Sequence, residues 1–310
     1  MTAPAPLVEV LRSGLRESLH HGSVVVLGPD GGVRFAVGDT GSPMFPRSSL
    51  KPAQLAGMLD AGLELPPIDL ALAAASHSGE QEHLERVRDL LDRHDLTEDD
   101  LRCPPDWPLG EAARTAHAGT GMRRITMNCS GKHAAMLATC VQLGWSTADY
   151  LAPEHPVQVA IRETVGGLAG EPIAVSSVDG CGAPLHALSL TGLARMFGAL
   201  ADHPVAAAMR THPWLVAGTG RADTELMRAV PGLVTKIGAE GVMALGLPDG
   251  AAVALKIADG ADRARLPVAV GALRLLGVRS PALDALAEEP VLGGGAPVGA
   301  VRLLDDALVG

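Results

Sequence analysis

The chain has 310 residues, of which 47% are hydrophobic and 19% charged, and its formal net charge at pH 7 is −10. This length and composition suit a folded protein with a sizeable core and exclude a disordered chain. The acidic balance argues against a nucleic-acid partner, which requires a basic surface. Aromatic residues make up only 2% of the chain, so the core must consist mainly of alanine, valine and leucine.

The sequence also bears on location. No apolar run approaches the ~20 residues that a membrane-spanning helix needs, so we expect no membrane partner. Residues 1–13 lack a cationic start followed by an apolar segment, and we expect no signal peptide. Four cysteines do not make a disulfide framework in a chain of this size. They predict a cytoplasmic protein whose thiols are free for chemistry or for a metal.

Short β-prone runs alternate with helical stretches. Residues 24–27 and 33–37 flank the turn sequence Pro29-Asp30-Gly31-Gly32, which predicts a β-hairpin. The apolar run 68–75 fits a helix and a strand equally well, and no repeat or linker interrupts the chain, so we predict one domain. The other predicted elements are helices at 156–168, 188–200 and 223–230, strands at 173–178, 242–246 and 252–260, and a helix with short strands over 263–310.

The segment 47–52 places a hydroxyl and an amine three residues apart, where a turn-rich stretch gives way to a helix. Residues at i and i+3 share a helix face, so Ser48 and Lys51 should point the same way. A serine becomes a nucleophile when a base takes its proton, and a partly desolvated lysine can be that base. The spacing alone is common, and Ser48 or Ser49 could instead cap the helix.

A second hydroxyl, Ser76, follows the apolar run and precedes His77, and both side chains are free to point into a cleft. Ser78 and Gln81 fit a capping box for the next helix, which predicts a structural role for Ser78. The apolar stripe of that helix consists of Leu84, Val87, Leu90 and Leu91.

Cys129 and Lys132 are also three residues apart at a predicted helix start, where the local field lowers a thiol pKa. His133 adds a titrating group beside them. Such a reactive cluster is rarely needed for packing. Cys140 lies on the apolar face of the same helix and is predicted to be a buried structural cysteine.

The other two cysteines lie in predicted loops. Cys181 belongs to Asp179-Gly180-Cys181-Gly182-Ala183-Pro184, a tight turn after a strand. Such loops commonly carry function, although a passive cysteine is as consistent with the spacing. Cys103, in the predicted loop 101–123, is interpreted as an idle thiol.

Lys256 stands alone in an apolar strand. Buried lysines are rare unless paired, and burial lowers their pKa toward a useful value. The competing explanation is a lysine that protects an edge strand from aggregation. We favour a functional role.

The Ser-x-x-Lys, the later serine and the late lysine follow the layout of serine β-lactamases, penicillin-binding proteins and related glutaminases. Five sequence blocks in order more specifically resemble the rhizobial-type (class 3) L-asparaginases of the asparaginase II family. The Cys-Ser-Gly-Lys-His run is the most specific of them, because penicillin-recognising enzymes lack it. The five blocks are Arg47-Ser48-x-x-Lys51-Pro52, Ala75-Ser76-His77, Asn128-Cys129-Ser130-Gly131-Lys132-His133, Asp179-Gly180-Cys181 and Lys256-Ile257-x-Asp259-Gly260.

The resemblance implies an α+β, three-layer fold, in which an antiparallel sheet is flanked by helices as in serine β-lactamases and glutaminases. It implies one catalytic domain over residues 1–310, and it suggests a homodimer. The implied activity is hydrolysis of the side-chain amide of L-asparagine. In this scheme Ser48 is the nucleophile and Lys51 its base, while Ser76 and Lys256 form a second Ser–Lys pair.

The resemblance also implies a zinc ion and a substrate site. Thiolates suit zinc, whereas a lysine can bind a metal only as a neutral amine. Because the serines already supply the nucleophile, we interpret zinc as an orienting or affinity element. The implied zinc ligands are Cys129, Lys132 and Cys181, completed by water, and the residues implied around the substrate and the metal are Arg47, His133 and Asp179.

Two other functions stay open at this point. One is a different Ser–Lys amide hydrolase, such as a glutaminase or a penicillin-recognising enzyme. The other is a metal-binding or regulatory protein that keeps the fold without the reaction. Two intact Ser–Lys pairs argue against the second, because a binding protein has no use for them.

Overall fold

The computed structural model describes residues 2–309, which form helices and strands in both halves of the chain. Short 3-10 helices cover Arg47–Leu50, Glu98–Asp100 and Asp262–Ala264. The strands are β1 (Ala5–Arg12), β2 (Leu15–Leu27), β3 (Val33–Val37), β4 (Pro43–Met44), β5 (Val175–Val178), β6 (Pro184–Ser189), β7 (Val234–Gly238), β8 (Val242–Gly246), β9 (Ala252–Ile257), β10 (Glu288–Gly293) and β11 (Ala296–Leu303). The α-helices are α1 (Lys51–Ala61), α2 (Pro67–Ala73), α3 (Gln81–Asp92), α4 (Glu111–Ala116), α5 (Ser130–Leu143), α6 (Pro156–Ala169), α7 (Leu190–Ala199), α8 (Pro204–Thr211), α9 (Pro213–Ala217), α10 (Ala222–Ala229), α11 (Arg265–Leu275) and α12 (Pro281–Asp284).

The chain divides into two compact units. Three elements, the 3-10 helix Arg47–Leu50, β6 and α10, each contain a point at which the chain leaves one unit for the other. The prediction of one catalytic domain over residues 1–310 stays a prediction. Unit 1 comprises Met1–Ser49, Leu188–Ala201 and Leu226–Gly310, and unit 2 comprises Leu50–Ala187 and Asp202–Glu225.

Unit 1 is built on an antiparallel sheet with the strand order β10-β11-β1-β2-β9-β8-β7, to which β3 is added by pairing with β2. Strand β8 is buried along its whole length, so both of its faces are covered. Helices α7 and α11 pack against the sheet. A Cβ on Gly246 would lie 2.7 Å from the backbone oxygen of Phe197, so α7 lies directly on β8. The predicted antiparallel sheet with helices packed on it is confirmed.

The predicted hairpin of unit 1 is also confirmed. Strands β2 and β3 pair antiparallel, with Val24 opposite Val37. Gly31, in the connection, has φ +73°, a left-handed conformation that glycine adopts without steric cost. The predicted strand at 252–260 ends earlier, at Ile257, because the backbone turns there: the Gly260 N–H donates to the Ile257 carbonyl.

Unit 2 is mainly helical and is organised around α5. This helix contacts α1, α2, α3 and α6, and its residues from Ser130 to Cys140 are all buried. Because α5 is buried on every side over these residues, it lies inside the core of unit 2. A Cβ on Gly131 would lie 2.6 Å from the Leu72 carbonyl oxygen, so the first turn of α5 presses against the end of α2.

Most predicted elements of the second half are present. Helices α6, α7 and α10 match the predictions within about two residues, and α11, β10 and β11 lie in the predicted C-terminal region. The ambiguous run 68–75 is mostly the helix α2. The prediction of a loop throughout 101–123 is wrong, because α4 lies within it. That helix has six residues and buries only Ala113, so it has no periodic apolar face to detect. Among residues 2–309, no helix combines the length and apolar character that crossing a bilayer requires.

Candidate active site

Ser48 lies in the 3-10 helix Arg47–Leu50, directly before α1 begins at Lys51. The predicted loop-to-helix transition is confirmed. Arg47 has φ +54°, a left-handed conformation that is strained for a residue with a side chain. Strain of this kind often accompanies functional sites. Ser48 itself is half-buried.

A strand of unit 1 packs against this 3-10 helix. The buried Ser49 hydroxyl donates to the Lys236 carbonyl on β7 at 2.8 Å. A Cβ on Gly238 would lie 2.3 Å from the Pro46 carbonyl oxygen, so only glycine allows this close approach. The turn that presents Ser48 is therefore fixed against β7.

Lys236 is a residue that the sequence analysis missed. Its side chain is fully buried, and its Nζ donates to the Ile237 carbonyl at 3.0 Å. A compositional signal identifies it: the chain has 25 lysines and arginines together, but only four are lysines. Three of the four lie in the sequence blocks that predicted the site, and Lys236 is the fourth. A lysine amine can lose its proton, whereas an arginine guanidinium does not, so the rarity of lysine makes Lys236 a candidate for a chemical role.

Lys256 lies on β9, which has β2 and β8 as its neighbours in the sheet. The edge-strand explanation is therefore wrong. Its Nζ donates to the carbonyls of Ile257, at 3.1 Å, and Glu240. Burial lowers the pKa of Lys256, although the carboxylates of Glu240 and Asp259 oppose the shift.

A lysine and a serine of the predicted site are in contact in unit 2. Lys51 is buried, and its Nζ donates to the Ser76 hydroxyl at 2.9 Å and to the Ala75 carbonyl at 2.5 Å. A serine hydroxyl bonded to a desolvated amine is the arrangement that proton transfer requires. The predicted pairings of Lys51 with Ser48 and of Lys256 with Ser76 stay predictions.

The residues around Ser76 are fixed by hydrogen bonds to distant segments. The backbone N–H groups of Ser76 and Ser78 donate to the carbonyls of Val216 and Ala217. The capping box predicted for Ser78 and Gln81 is wrong: Glu80 is the N-cap of α3, and the Ser78 hydroxyl donates to Ala217 instead. Ser78 is nevertheless structural, as expected. The apolar stripe of α3 is confirmed, since all four of its members are buried.

His77 connects the Ser76 segment to the start of α5. Its backbone N–H donates to the Asn128 carbonyl, and its Nε2 lies 2.8 Å from the Ser130 hydroxyl. Ser130 uses its own proton to donate to the Ile125 carbonyl, so it must accept from the His77 Nε2–H. Burial, with smaller effects from His83 and Lys51, holds the pKa of His77 well below its usual value.

We expect this buried histidine to make the protein acid-sensitive. The folded-state pKa is lowered, so below the unfolded-state pKa the unfolded chain binds more protons and stability falls as the pH falls. A histidine that stays neutral in the folded state corresponds to a loss of about 2 kcal/mol at pH 5. His77→Gln retains a donor near the Nε2 position. Between pH 7 and pH 5, the free energy of unfolding of this variant should fall by about 2 kcal/mol less than that of the wild type. Denaturant unfolding at both pH values measures the difference. Ser130→Ala, which retains His77, should keep the wild-type pH dependence, and an equal acid loss in His77→Gln would contradict the assignment.

The thiol cluster lies at the N-terminus of α5. Cys129 is the N-cap residue, Lys132 lies in the first turn, and the Lys132 Nζ is 3.2 Å from the Cys181 sulfur. All three side chains are buried. The turn that holds Cys181 is closed by a hydrogen bond from the Asp179 N–H to the Ala183 carbonyl.

The charges of this cluster differ from the expectation. The hydrogen bond between the two thiols, followed by burial, raises the pKa of Cys129 well above its usual value. The same bond, assisted by the charge of Lys132 and by His133, lowers the pKa of Cys181 against the effect of burial. Burial is the largest effect on the pKa of Lys132 and lowers it, but the charges of Cys181, Cys129 and Asp179, with the hydrogen bond to Cys181, together raise the net pKa. The thiol with the lowered pKa is therefore Cys181, and the lowered pKa expected for Cys129 is wrong.

The donor set fits zinc. Cysteine sulfurs are ligands that zinc prefers, and the lysine nitrogen could join them only as a neutral amine. Zinc bonds of ~2.3 Å to sulfur and ~2.0 Å to nitrogen place tetrahedral ligands ~3.5 Å apart, close to the 3.2 Å between Lys132 and Cys181. Within residues 2–309, no group of three or more His, Cys, Asp or Glu side chains is arranged to hold a metal. A zinc ion here would therefore depend on the Lys132 nitrogen.

The other two cysteines are unreactive. Burial raises the pKa of Cys103 to about 12 and that of Cys140 to about 11. Both side chains are fully buried. The prediction of a buried, structural Cys140 is confirmed. The raised pKa of Cys103 agrees with its interpretation as a thiol without a chemical role.

The predicted site residues fall into two groups by unit. Unit 1 contains Arg47, Ser48 and Lys256. In unit 2, the charge of Lys51 contributes to the pKa shifts of Cys129 and His133, so the Ser76–Lys51 pair and the thiol cluster are neighbours. Asp179 belongs to this neighbourhood, because its carboxylate raises the pKa of Lys132. The predicted members of the site in unit 2 are Lys51, Ser76, Cys129, Lys132, His133, Asp179 and Cys181.

Most of the chain is similar to known proteins. A family model described as L-asparaginase II matches residues 8–303. A search of curated proteins gives no match. A solved β-lactamase from Mycobacterium bovis is 18% identical, with a TM-score of 0.33, over 77% of this chain and 88% of that one.

Two further solved structures are similar at the same level. The native form of Mglu is 17% identical, with a TM-score of 0.37, over 82% of this chain and 62% of Mglu, so this chain spans less than two thirds of that protein. A Bacillus glutaminase, solved in the presence of 4.3 M NaCl, is 14% identical, with a TM-score of 0.30, over 78% of this chain and 84% of that one.

Proposed function

Because the chain belongs to the L-asparaginase II family, we propose that this amidohydrolase converts L-asparagine to L-aspartate and ammonia through a serine nucleophile activated by lysine. The observation that carries the proposal is the buried amine of Lys51, bonded to the Ser76 hydroxyl at 2.9 Å and located three residues after Ser48. A lysine amine, unlike an arginine guanidinium, can give up its proton, so it can serve as a base for a serine hydroxyl.

The proposed reaction has two steps. The Ser48 oxygen attacks the side-chain amide carbon and forms an ester, while the carbon–nitrogen bond breaks and ammonia leaves with the proton taken from Ser48. Water then attacks the ester, aspartate leaves, and Ser48 recovers its proton. Lys51 is the base of the first step and Ser76 the hydroxyl through which the proton passes. Backbone N–H groups near Ser48 are the proposed donors to the oxyanion.

The other predicted residues keep their proposed roles. Arg47, His133 and Asp179 contact the substrate or the neighbouring metal. Lys256 serves as the second amine of the family pattern, and Lys236 joins it as a candidate because it is fully buried on the strand that fixes the Ser48 turn. Both can be tested as methionine variants with the same ammonia measurement.

Zinc is part of the proposal as an accessory ion, held by Cys129, Lys132 and Cys181. When bound, it supplies a positive charge that draws oxygen or nitrogen ligands and neutralises the thiolates. Of the residues that would hold it, Cys129 and Lys132 lie at the start of α5, where Ser130 is bonded to His77 of the Ser76 segment. A homodimer in the cytoplasm completes the proposal, on the basis of the family resemblance and the composition. Sedimentation velocity tests whether the protein is a homodimer.

The test is a side-by-side assay of ammonia release from L-asparagine and L-glutamine, each with a zinc chelator and with added zinc. We expect turnover of asparagine and much slower turnover of glutamine, since a pocket built for the shorter amide misplaces the longer one. Chelation should reduce asparagine turnover without abolishing it. Preferential turnover of glutamine would instead indicate a glutaminase, and an absence of ammonia in every condition would contradict the proposed enzyme.

A further inference from the structure

A chain of hydrogen bonds joins three side chains near the end of β9, where Lys256 lies. The Asp259 carboxylate is 2.6 Å from the His20 Nδ1, and the Arg263 Nε donates to the His20 Nε2 at 3.0 Å. We call Asp259, His20 and Arg263 the His20 array. All three residues belong to unit 1, as Lys256 does, and the His20 side chain is buried. The roles proposed above for the site residues do not use this array.

The position of the proton on His20 follows from its contact with Arg263. A guanidinium only donates, so the His20 Nε2 must accept and carries no proton. The ring proton is therefore on Nδ1 and is donated to the Asp259 carboxylate. The second oxygen of this carboxylate accepts from the Ala261 N–H at 3.0 Å. Asp259 is thus held on one side by strand β2, through His20, and on the other side by the chain that follows it.

Asp259 lies in the turn that orients the Lys256 amine. The Gly260 N–H closes this turn by donating to the Ile257 carbonyl at 3.2 Å. The same carbonyl accepts from the Lys256 Nζ at 3.1 Å. The other acceptor of the Nζ is the Glu240 carbonyl, in the connection between β7 and β8. A change in the position of the turn would therefore move one of the two oxygens that hold the amine.

These two carbonyls determine where the lone pair of a neutral Lys256 amine points. A neutral amine has two N–H groups and one lone pair, which are arranged with Cε as a tetrahedron around the nitrogen. A carbonyl only accepts, so each of the two takes one N–H. The lone pair is left with the remaining direction. The position of the Ile257 carbonyl thus decides the direction from which Lys256 can accept a proton.

We propose that the His20 array positions the Lys256 amine for the reaction, by fixing the turn whose first carbonyl orients that amine. The inference rests on the role of Lys256 in the proposed function. Asp259, His20 and Arg263 are positioning residues, since Lys256 is the group that exchanges the proton. Misplacing a reacting group by ~1 Å costs about 10²-fold in rate, so the array should contribute measurably to turnover.

The first measurement is carbon-13 NMR of the lysine Cε groups, which requires no turnover. The chain has only four lysines, and Lys256→Met identifies the Lys256 signal by its disappearance. The two hydrogens on Cε have different chemical shifts in a fixed side chain and a single averaged shift in a mobile one. We expect two shifts for Lys256 in the wild type. We expect one averaged shift in His20→Leu, which removes both ring nitrogens.

Three comparisons separate positioning from general damage. His20→Asn retains a donor near the Nδ1 position and should keep the two Lys256 shifts distinct. Lys236, buried on β7, is an internal reference whose signal should not change in any variant. Arg263→Met, at an exposed position, should bring the two Lys256 shifts closer together, whereas Arg34→Met, at an exposed position on β3, should not.

The outcomes of this experiment are decisive in both directions. A single averaged Lys256 shift in the wild type would overturn the proposal. So would an unchanged separation of the two shifts in Arg263→Met or in folded His20→Leu, or a change at Lys236 as large as the change at Lys256. If His20→Leu does not fold, Arg263→Met decides, because its exposed side chain can be replaced without disturbing the core.

The second measurement is the turnover of L-asparagine. We expect His20→Leu to lower kcat about 10- to 100-fold with a smaller change in KM, and His20→Asn to recover most of the loss. An unchanged kcat in His20→Leu, or no recovery in His20→Asn, would overturn the positioning role. Full turnover in Lys256→Met would reject the role of Lys256 and the positioning with it. If the wild type releases no ammonia, the proposed function fails, while the NMR comparison still decides whether the array orients Lys256.

Discussion

Replacing Ser48 by alanine should reduce ammonia release from L-asparagine by a factor on the order of 10⁴ or more, because removing a serine nucleophile leaves only the binding and oxyanion contributions to the rate. The side chain is half-buried at the start of a helical segment, so its loss should leave the protein folded. Steady-state kcat and KM for the variant measure the effect, with the fall expected in kcat.

The comparison variant is Ser42→Ala, which removes a hydroxyl from the turn-rich segment before the same 3-10 helix and should turn over asparagine as the wild type does. Trapping provides a second readout: mass spectrometry of the wild type, quenched during turnover, should show an ester on the peptide that contains Ser48. Full activity in Ser48→Ala would remove this residue from the reaction, even if the protein proved to be an asparaginase.

Replacing Lys51 by methionine should lower kcat by about 10²- to 10⁴-fold, the usual contribution of a general base. Methionine has nearly the length of lysine and fills the buried space, but it cannot donate to Ser76 or Ala75, as the Nζ does at 2.9 and 2.5 Å. Thermal unfolding should show that the variant is folded. The KM should change less than kcat, since the proposed role is proton transfer rather than substrate binding.

Lys51→Arg is the informative partner of this variant. It retains the positive charge, but a guanidinium does not give up its proton in a protein and cannot act as a base. We therefore expect Lys51→Arg to be as inactive as Lys51→Met. Near wild-type turnover in Lys51→Arg would show that this position supplies charge, and the proton would then have to pass to another group.

Local patterns in the sequence were sufficient for much of the fold. The hairpin of β2 and β3 follows from a turn sequence between two β-prone runs, and helices α3 and α6 follow from apolar spacing and terminal signals. Positions of the site residues on these elements follow in the same way, since Lys51 and Cys129 each lie where a helix was expected to begin.

Features that depend on distant partners were not predictable from such patterns. Ser78 satisfies a local capping pattern, yet its hydroxyl donates to Ala217, 139 residues away in the chain. The thiolate of the cluster could not be assigned because it depends on which sulfur contacts Lys132, a result of the packing of the loop at Asp179. Lys236 was missed because no strand was predicted over residues 234–238, so the sequence did not show it as a lone lysine in an apolar strand. Its significance emerges from the scarcity of lysine in the whole chain and from the strand that it occupies.

The close approach of α5 to α2 has a consequence for control of the enzyme. The Leu72 carbonyl touches Gly131, and the chain continues from there to Ser76, while His77 is tied to Asn128 and Ser130. Anything that orders the beginning of α5 must also order the segment that carries Ser76. If the proposed zinc ion binds at the start of α5, its presence should therefore also order the segment that carries Ser76.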